Sequence, residues 1–468
     1  MPTIRIGADL RVENTPSVRM LLDPYIKKNL IVDNPEYIRR VRMGKWLGKT
    51  PEKLHLYEEN GDELILPYGC CEDVLKLLGD FTAQSTFHYP IPYPAVDYGE
   101  QIPLYDYQEK AFKAMVEARG GILQSKAGSG KTQMALRIVQ RFRMKTLWVT
   151  HTQDLLAQSK ERAEQYFPKD LIGTITAGKV QIGSGITFAT VQTLCKLDLN
   201  KYRDTWQLIV VDECHRISGT PSALTMFYKV LSSLAAPIKI GLSATVHRSD
   251  GMINATYALI GKVAYAVPDD AIEDKVMTVY IRPVETEYRI SPDCLGTDGM
   301  LNWAKMINDI AADENRNQLI VDSIVADADH PSLILSDRLE HLHTLMGMLP
   351  EHLKAQAVMI DGHMTSKKAR LERGLALENM RTGKKQFLFA TYSLCKEGLD
   401  IPRLERLYLT TPQKDFAIIT QSIGRIARTC DGKQDPVCVD FVDSKDRYLF
   451  KTYKKRVTSY KKAGCKET

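Results

Sequence analysis

No apolar run in this chain of 468 residues approaches the roughly 18 residues that a membrane-crossing helix requires. The opening stretch MPTIRIGADLRVEN also lacks the basic-then-apolar layout of a secretory leader, so the chain is expected to stay in the cytoplasm with no membrane partner. Cysteines number nine, and no C-x-x-C pair occurs among them. That removes the spacings of zinc ribbons and dithiol redox sites and predicts free thiols that serve mostly as packing residues. Internal repeats and low-complexity tracts are missing too, which leaves ordinary globular domains.

What is present is a chain of 44% hydrophobic and 26% charged residues, long enough for about three domains with sizeable cores. Its net charge of +6 permits a polyanionic partner without demanding one. The basic residues cluster. RRVRMGKWLGKTPEK (39–53) holds Arg39, Arg40, Arg42 and Lys45 around Trp46, and KTYKKRVTSYKK (451–462) interleaves cations with tyrosines. Rings stack on bases while cations displace counterions from phosphates, so either cluster could hold nucleic acid; a solvated basic face is the alternative reading of both.

From Gly120 onward, short apolar runs alternate with stretches of helical periodicity. GILQ, TLWVT, ITFAT, LIVVDE and KIGLSAT predict a parallel sheet wrapped by helices over residues 99–262. SLILS, AVMID, QFLFAT, LERLYLT and VCVDFVD predict a second such domain over 300–445. Residues 263–299 read as a connector, with 277–290 as a hairpin or extended segment, and 446–468 as a basic tail. Residues 1–98 have a different texture, with a hairpin turning at Asn60-Gly61 inside KLHLYEENGDELILPYG and a proline-rich linker at their end.

The chemistry begins at AGSGKT, residues Ala127, Gly128, Ser129, Gly130, Lys131 and Thr132, between a predicted strand and a predicted helix. A glycine-rich turn at a helix N-terminus lets several backbone N–H groups converge on phosphate oxygens, with Lys131 reaching the β and γ phosphates and Thr132 a magnesium ion. The usual pattern carries glycine at 125, where this chain has Ser125. LIVVDECH then delivers Asp212 and Glu213 to the C-terminal end of a strand, the edge at which such sheets bind ligands. Asp212 is expected to hold magnesium and Glu213 to polarise the attacking water, which makes this a nucleoside-triphosphate hydrolase. In the second domain, QSIGRIAR sets Gln421, Arg425 and Arg428 on one face of a predicted helix, where the arginines could neutralise charge in the transition state.

Together these motifs resemble those of superfamily 2 helicases. YDYQ with Gln108 is similar to the adenine-reading Q motif, and VTHTQDLLAQ, FATVQTL, DECH and SAT follow AGSGKT in family order. LILSDRLEHL, ATYSLCKEGLDIP and QSIGRIAR supply the remaining three. The resemblance implies two tandem RecA-like doubly wound parallel-sheet domains with a small α+β N-terminal accessory domain. It further implies ATP and Mg2+ as cofactors, with Gly398 and Asp400 in a loop near the γ phosphate. His215, Ser243 and Thr245 would couple nucleotide to strand, and Thr152, Thr190, Gln192 and Thr391 would bind the sugar-phosphate backbone. DECH, SATVHRSDG, EGLDIP and QSIGRIAR together resemble the group around XPB, RecG and phage UvsW rather than the DEAD-box RNA helicases. In that group the accessory hairpin ends in P-R-G, where this chain has Tyr68. The expectation is a DNA helicase or translocase that unwinds or branch-migrates single-stranded, forked or junction DNA in a bacterial or phage-infected cell. A duplex-translocating motor subunit of a restriction or defence complex, an RNA helicase, and an ATP-gated binding module are the alternatives.

Overall fold

A computed structural model describes the chain except for residues 1, 89–93, 127, 177, 245–250, 269–270, 272–275, 297–299, 361–366, 396–398 and 400. It divides into two compact units that meet in sequence between Pro268 and Asp269.

The first unit opens with β1 (Thr3–Ile6), β2 (Asp9–Glu13), α1 (Pro16–Asn29), β3 (Ile31–Asp33) and α2 (Pro35–Arg42). There follow β4 (Lys53–His55), β5 (Glu58–Asn60), β6 (Glu63–Pro67), α3 (Cys71–Leu78) and β7 (Thr82–Ser85). The predicted hairpin is β5–β6, with Asn60 opposite Glu63 and Gly61 at φ +58° in its two-residue turn. These strands form a five-stranded sheet in the order β5-β6-β2-β1-β7, while β3 and β4 pair separately.

Next come α4 (Asp106–Ala118), β8 (Gly121–Gln124), α5 (Lys131–Phe142), β9 (Thr146–Thr150), α6 (Gln153–Glu164), β10 (Ile172–Thr176), β11 (Lys179–Gln181), β12 (Ile186–Thr190) and α7 (Val191–Leu194). The unit closes with β13 (Leu208–Asp212), α8 (Met226–Ser233), β14 (Ile238–Ser243), α9 (Ile253–Ile260) and β15 (Val263–Ala266). Their sheet runs β11-β10-β12-β9-β13-β14-β8-β15 and is parallel apart from the β10–β11 pair. Every residue of β9, β12, β13 and β14 is buried, the pattern of strands covered by helices on both faces.

The second unit contains β16 (Tyr280–Glu285), α10 (Trp303–Ala312), α11 (Glu314–Ala326), β17 (Ser332–Ser336), α12 (Leu339–Met348), α13 (Glu351–Lys354) and β18 (Ala357–Ile360). It ends with α14 (Lys367–Arg381), β19 (Phe387–Thr391), α15 (Tyr392–Cys395), β20 (Arg406–Leu409), α16 (Phe416–Ile426), β21 (Val437–Val442), α17 (Arg447–Lys462) and β22 (Lys466–Glu467). Its sheet, β18-β19-β17-β20-β21-β16-β22, is parallel throughout.

Two segments differ from expectation. The connector over 263–299 is absorbed into both sheets: β15 lies beside β8, and β16 pairs along its length with β21. Its alternating sequence reflects burial of one face near a sheet edge, and Pro283 falls beyond Ile281, where pairing with β22 ends. The expected basic tail is the amphipathic helix α17. Its inner face buries Arg456 against Asp440 at 2.9 Å and Tyr460 on the same carboxylate at 2.7 Å, while Lys454 and Lys455 face out. The eight cysteines with described side chains are all unbridged.

The accessory sheet does not close its own core. Ala255 and Ala258 of α9, with its N-cap Met252, pack among Ile4, Leu22, Leu64 and Val74, so one helix of the nucleotide-binding domain completes the hydrophobic interior of the N-terminal domain. Tyr68 strengthens the junction, donating from its hydroxyl to the carbonyl of Pro237 at 2.8 Å while its ring lies 5.0 Å from the buried amine of Lys239. Burial lowers that amine to about 7, and it donates to the carbonyl of Leu231 at 2.7 Å.

Gly69 sits so close to α9 that an added Cβ would lie 2.4 Å from the carbonyl of Tyr257 and 2.6 Å from that of Ala258. Both are backbone atoms and cannot turn aside. Gly69→Ala is therefore expected to destabilise the first unit by about 1–3 kcal/mol, the usual cost of overpacking. A thermal-unfolding midpoint equal to that of the parent chain would show that the two domains do not approach so closely.

Candidate active site

The phosphate loop lies between β8 and α5. Gly130 caps α5 with φ +79°, a conformation that L side chains avoid, and a Cβ there would meet Nε2 of Gln108 at 2.4 Å. Gly128 also has positive φ, at +85°. Ser125 is not among the described non-glycine residues with positive φ, which explains why the chain can do without the glycine usual at that position. Lys131 opens α5, and its amine donates to the carbonyls of Ser125 and Lys126 at 2.9 and 3.1 Å, so the ammonium lies folded over its own loop. Thr132 follows it in the first turn, and Ala127 lies outside the described residues.

Gln108 is only 2% exposed. Its oxygen accepts from the Tyr105 N–H at 3.0 Å and its nitrogen donates to the Tyr107 hydroxyl at 3.2 Å. The side chain therefore anchors the start of α4 and buttresses Gly130, a structural duty that the resemblance to an adenine-reading motif did not reveal.

Asp212 and Glu213 end β13. Asp212 is buried, and its Oδ1 accepts from the Glu213 N–H at 3.0 Å. Glu213 has φ +51° and ψ +47°, one of three described non-glycine residues with positive φ. A left-handed residue without glycine's freedom is costly and tends to persist where the surroundings impose it, as at functional sites. Burial pushes the Asp212 carboxyl up and the Glu213 charge adds to this, opposed by Lys131 and by a hydrogen bond from Ser159. Burial acts on Glu213 too, but a hydrogen bond from His215 and the charges of Lys131, His215 and Arg216 outweigh it and hold that carboxylate below its ordinary range. The two neighbours are thus pushed apart in acidity.

The intervening strand joins these parts. β14 lies between β13 and β8, and its last residue, Ser243, accepts the Ser125 N–H through its carbonyl at 3.0 Å. The Ser243 hydroxyl lies 3.0 Å from Nδ1 of His215, which is itself 3.2 Å from Oε2 of Glu213. Thr245 lies outside the described residues.

Thr152 and Thr190, expected on a nucleic-acid backbone, are N-caps of α6 and α7 and accept the N–H groups of Leu155 at 3.3 Å and Thr193 at 3.4 Å. Thr190 is 2% exposed, so its hydroxyl is occupied inside the domain. Gln192 donates to the carbonyl of His151 at 2.7 Å. Ser159 was not anticipated; the polar member of the buried stripe Leu156, Ser159, Ala163 on α6 was its signal.

On the second unit, Asp415 caps α16 by accepting the Ile418 N–H at 3.1 Å. Gln421 is buried, with no partner for its oxygen among the described residues, and Arg425 donates to the carbonyl of Leu399 at 3.0 Å. The helix ends at Ile426, so Arg428 does not continue the expected helical face; it lies in an isolated antiparallel bridge with Val276. Thr391, at the end of β19, bonds the Ser393 hydroxyl at 2.8 Å, and Gly398 and Asp400 lie outside the described residues.

Residues 101–248 match the family described as Type III restriction enzyme, res subunit, and residues 315–430 match the Helicase conserved C-terminal domain. The chain is an ATP-dependent superfamily 2 helicase. A putative ATP-dependent RNA helicase of Acanthamoeba polyphaga mimivirus is 27% identical over 420 residues, covering 87% of this helicase and 76% of the relative. The DNA 3'-5' translocase XPB2 of Sulfurisphaera tokodaii is 31% identical over 191 residues, 41% of each chain. Among solved structures, S. cerevisiae Dbp5 bound to RNA and ADP BeF3 superposes with a TM-score of 0.54 at 16% identity, covering 81% of the helicase and 90% of that chain. This likeness agrees in fold with two tandem RecA-like domains. Among the described residues no helix is long and apolar enough to cross a membrane.

The contrast between Gly130 and Ser125 is testable. A left-handed alanine costs about 1–2 kcal/mol, so Gly130→Ala should weaken ATP binding by about tenfold. Ser125→Gly should change it little. Calorimetric titration of ATP checks both; the reverse ranking would contradict the loop geometry.

Proposed function

We propose that this helicase belongs to the DECH-containing, XPB- and UvsW-like group and moves on DNA, separating or branch-migrating forks and junctions. The observation that carries the reading is the surface of α2 and the loop after it. Trp46 is 84% exposed, resting over Gly48, whose added Cβ would lie 3.0 Å from the ring. A tryptophan so placed is not a core residue of the accessory domain. Arg39 and Arg40 pair with Glu36 at 2.6 and 2.8 Å, whereas Arg42, Lys45 and Lys49 have no carboxylate partner among the described residues. An exposed ring among such cations suits stacking on an unpaired base while the cations meet phosphates. The match to a DNA translocase over residues shared with this chain supports DNA, and the RNA helicase named among the relatives makes RNA the alternative.

In this reading the triphosphate lies on the N–H groups of the loop ending at Gly130, and Lys131 leaves the carbonyls of Ser125 and Lys126 for the β and γ phosphates. The donors present suit magnesium: the Thr132 hydroxyl and the Asp212 carboxylate are hard oxygens, with phosphates and water to complete the shell. Bound there, magnesium supplies charge neutralisation at the phosphates. Glu213, kept ionised by His215, orients the attacking water, and His215 relays its position to Ser243. Gln108 reports the adenine side through Gly130. Arg425 and Arg428, with Gln421 and the loop of Gly398 and Asp400, meet the transferring phosphoryl group from the second domain. Thr245 extends the Ser243 link. The nucleic-acid backbone runs along the helix starts at Thr152 and Thr190 and past Gln192 and Thr391, where backbone N–H groups hold the phosphates and the Thr152 hydroxyl, which accepts the Leu155 N–H, keeps its own O–H to donate.

Hydrolysis measured in parallel with single-stranded DNA, forked DNA, a four-way junction and RNA tests the proposal. Forked and junction DNA should stimulate most; equal or greater stimulation by RNA would replace DNA as the substrate. Arg42→Ala with Lys45→Ala should flatten the logarithmic salt dependence of fork binding by about two, one for each phosphate no longer neutralised. An unchanged slope would remove this surface from the interface.

Glu213→Gln should bind ATP like the parent and lose turnover by about 10²-fold or more, because Glu213 acts on water rather than on the nucleotide. Lys131→Ala should lose ATP binding itself. Equal loss of binding in both variants would contradict the division of roles.

A further inference from the structure

The backbone that carries Arg425 and Arg428 ends on a single cation. The amine of Lys433, in the loop between α16 and β21, donates to the carbonyls of Ile426 and Arg428 at 2.7 Å each and to that of Pro402 at 2.9 Å. An ammonium has three N–H donors, so all three are used. Ile426 is the last residue of α16, and Pro402 is the last residue of the EGLDIP segment. The carbonyl between the two clamped ones, that of Ala427, accepts the Met277 N–H at 2.8 Å. Three successive carbonyls at the end of the helix, which would otherwise lack partners, are thus satisfied, and a positive charge sits at the negative end of the helix dipole. Arg425 binds the same two segments together from the other side, through the carbonyl of Leu399 at 3.0 Å.

We propose that Lys433 is a positioning residue for ATP hydrolysis: it fixes the turn from which Arg425 and Arg428 project and ties that turn to Pro402 at the end of EGLDIP. The proposal rests on the reading of those arginines as partners of the transferring phosphate. Neither arginine could meet a developing charge within a few tenths of an ångström from a frayed helix end, and misplacement on the scale of 1 Å can cost about 10²-fold in rate.

Burial lowers the Lys433 amine to about 8; Glu405 and Cys430 act to raise it and Arg428 to lower it further. Glu405 is itself held by His330 at 2.6 Å and by the Gln434 N–H at 3.0 Å. Above about 8 the neutral amine keeps only two N–H groups for three carbonyls, and the clamp loses one bond. The sign for stability is opposite. Between about 8 and the ordinary lysine value the unfolded chain binds more protons than the folded one, so this ionisation makes the fold more stable as pH rises. A rate that falls in this window is not a sign of unfolding.

The experiment measures kcat and KM for nucleic-acid-stimulated ATP hydrolysis, across the pH range around 8, in the full chain and in Lys433→Met, Lys433→Arg and Arg428→Ala, with thermal midpoints alongside. Lys433→Met should lower kcat by about 10- to 100-fold with KM for ATP within a few-fold. Lys433→Arg, charged at every pH used, should recover most of the rate and lose the alkaline decline of the parent. A parental kcat in Lys433→Met beside a lost rate in Arg428→Ala overturns the proposal alone. An unchanged rate in Arg428→Ala overturns the arginine reading and the proposal with it. A loss in Lys433→Met and Lys433→Arg that tracks lowered thermal midpoints, with no change in pH profile, reduces Lys433 to a structural residue and also overturns it.

Discussion

Two carboxylates side by side at the end of a wholly buried strand are the constraint on which the rest of the first unit depends. Left to burial alone, Asp212 and Glu213 would both resist ionisation, and a pair of charges so close would repel. The fold answers with a different partner for each. Ser159 from α6 bonds Asp212, while His215 and Arg216 act on Glu213, and the Lys131 charge reaches both. The left-handed turn at Glu213 gives the second carboxylate its own direction. Because β14 lies between β13 and β8, Ser243 touches the phosphate loop with its carbonyl and His215 with its hydroxyl.

The same economy appears where the accessory domain meets the motor. α9 follows the SATVHRSDG segment in sequence, yet its apolar face belongs to the accessory core, and Gly69 lets the two backbones approach without a side chain between them. Removing the accessory residues would therefore bare Met252, Ala255 and Ala258 rather than cut a free linker.

Much of this was legible in the sequence because it rests on local rules. Fully buried parallel strands have to read as short apolar runs, and GILQ, TLWVT, ITFAT, LIVVD and SLILS are strands. The glycine turn and the Asp-Glu step stood out because their chemistry needs those residues at those places. What stayed hidden depends on pairings distant in sequence. Alternation in 277–290 suggested a hairpin, since nothing local says that Tyr280–Glu285 pairs with a strand 157 residues later, as in Tyr280 with Val437. The cations of 451–462 read as a tail because charge patterning does not disclose that Arg456 faces the buried Asp440. Gln108, Thr152 and Thr190 matched motif letters, but whether a polar side chain is exposed or spent on a cap is decided by the fold around it.

We propose that hydrolysis at the Asp212–Glu213 step is converted into movement along DNA. Strand separation of a forked duplex, followed with the full chain in ATP and in a non-hydrolysable ATP analogue, tests this most directly. The account predicts separation that proceeds with ATP and stops at a single binding event with the analogue. Equal separation in both would mean that binding alone opens the duplex, and brisk ATP turnover with no separation or displacement of any bound strand would contradict the coupling itself.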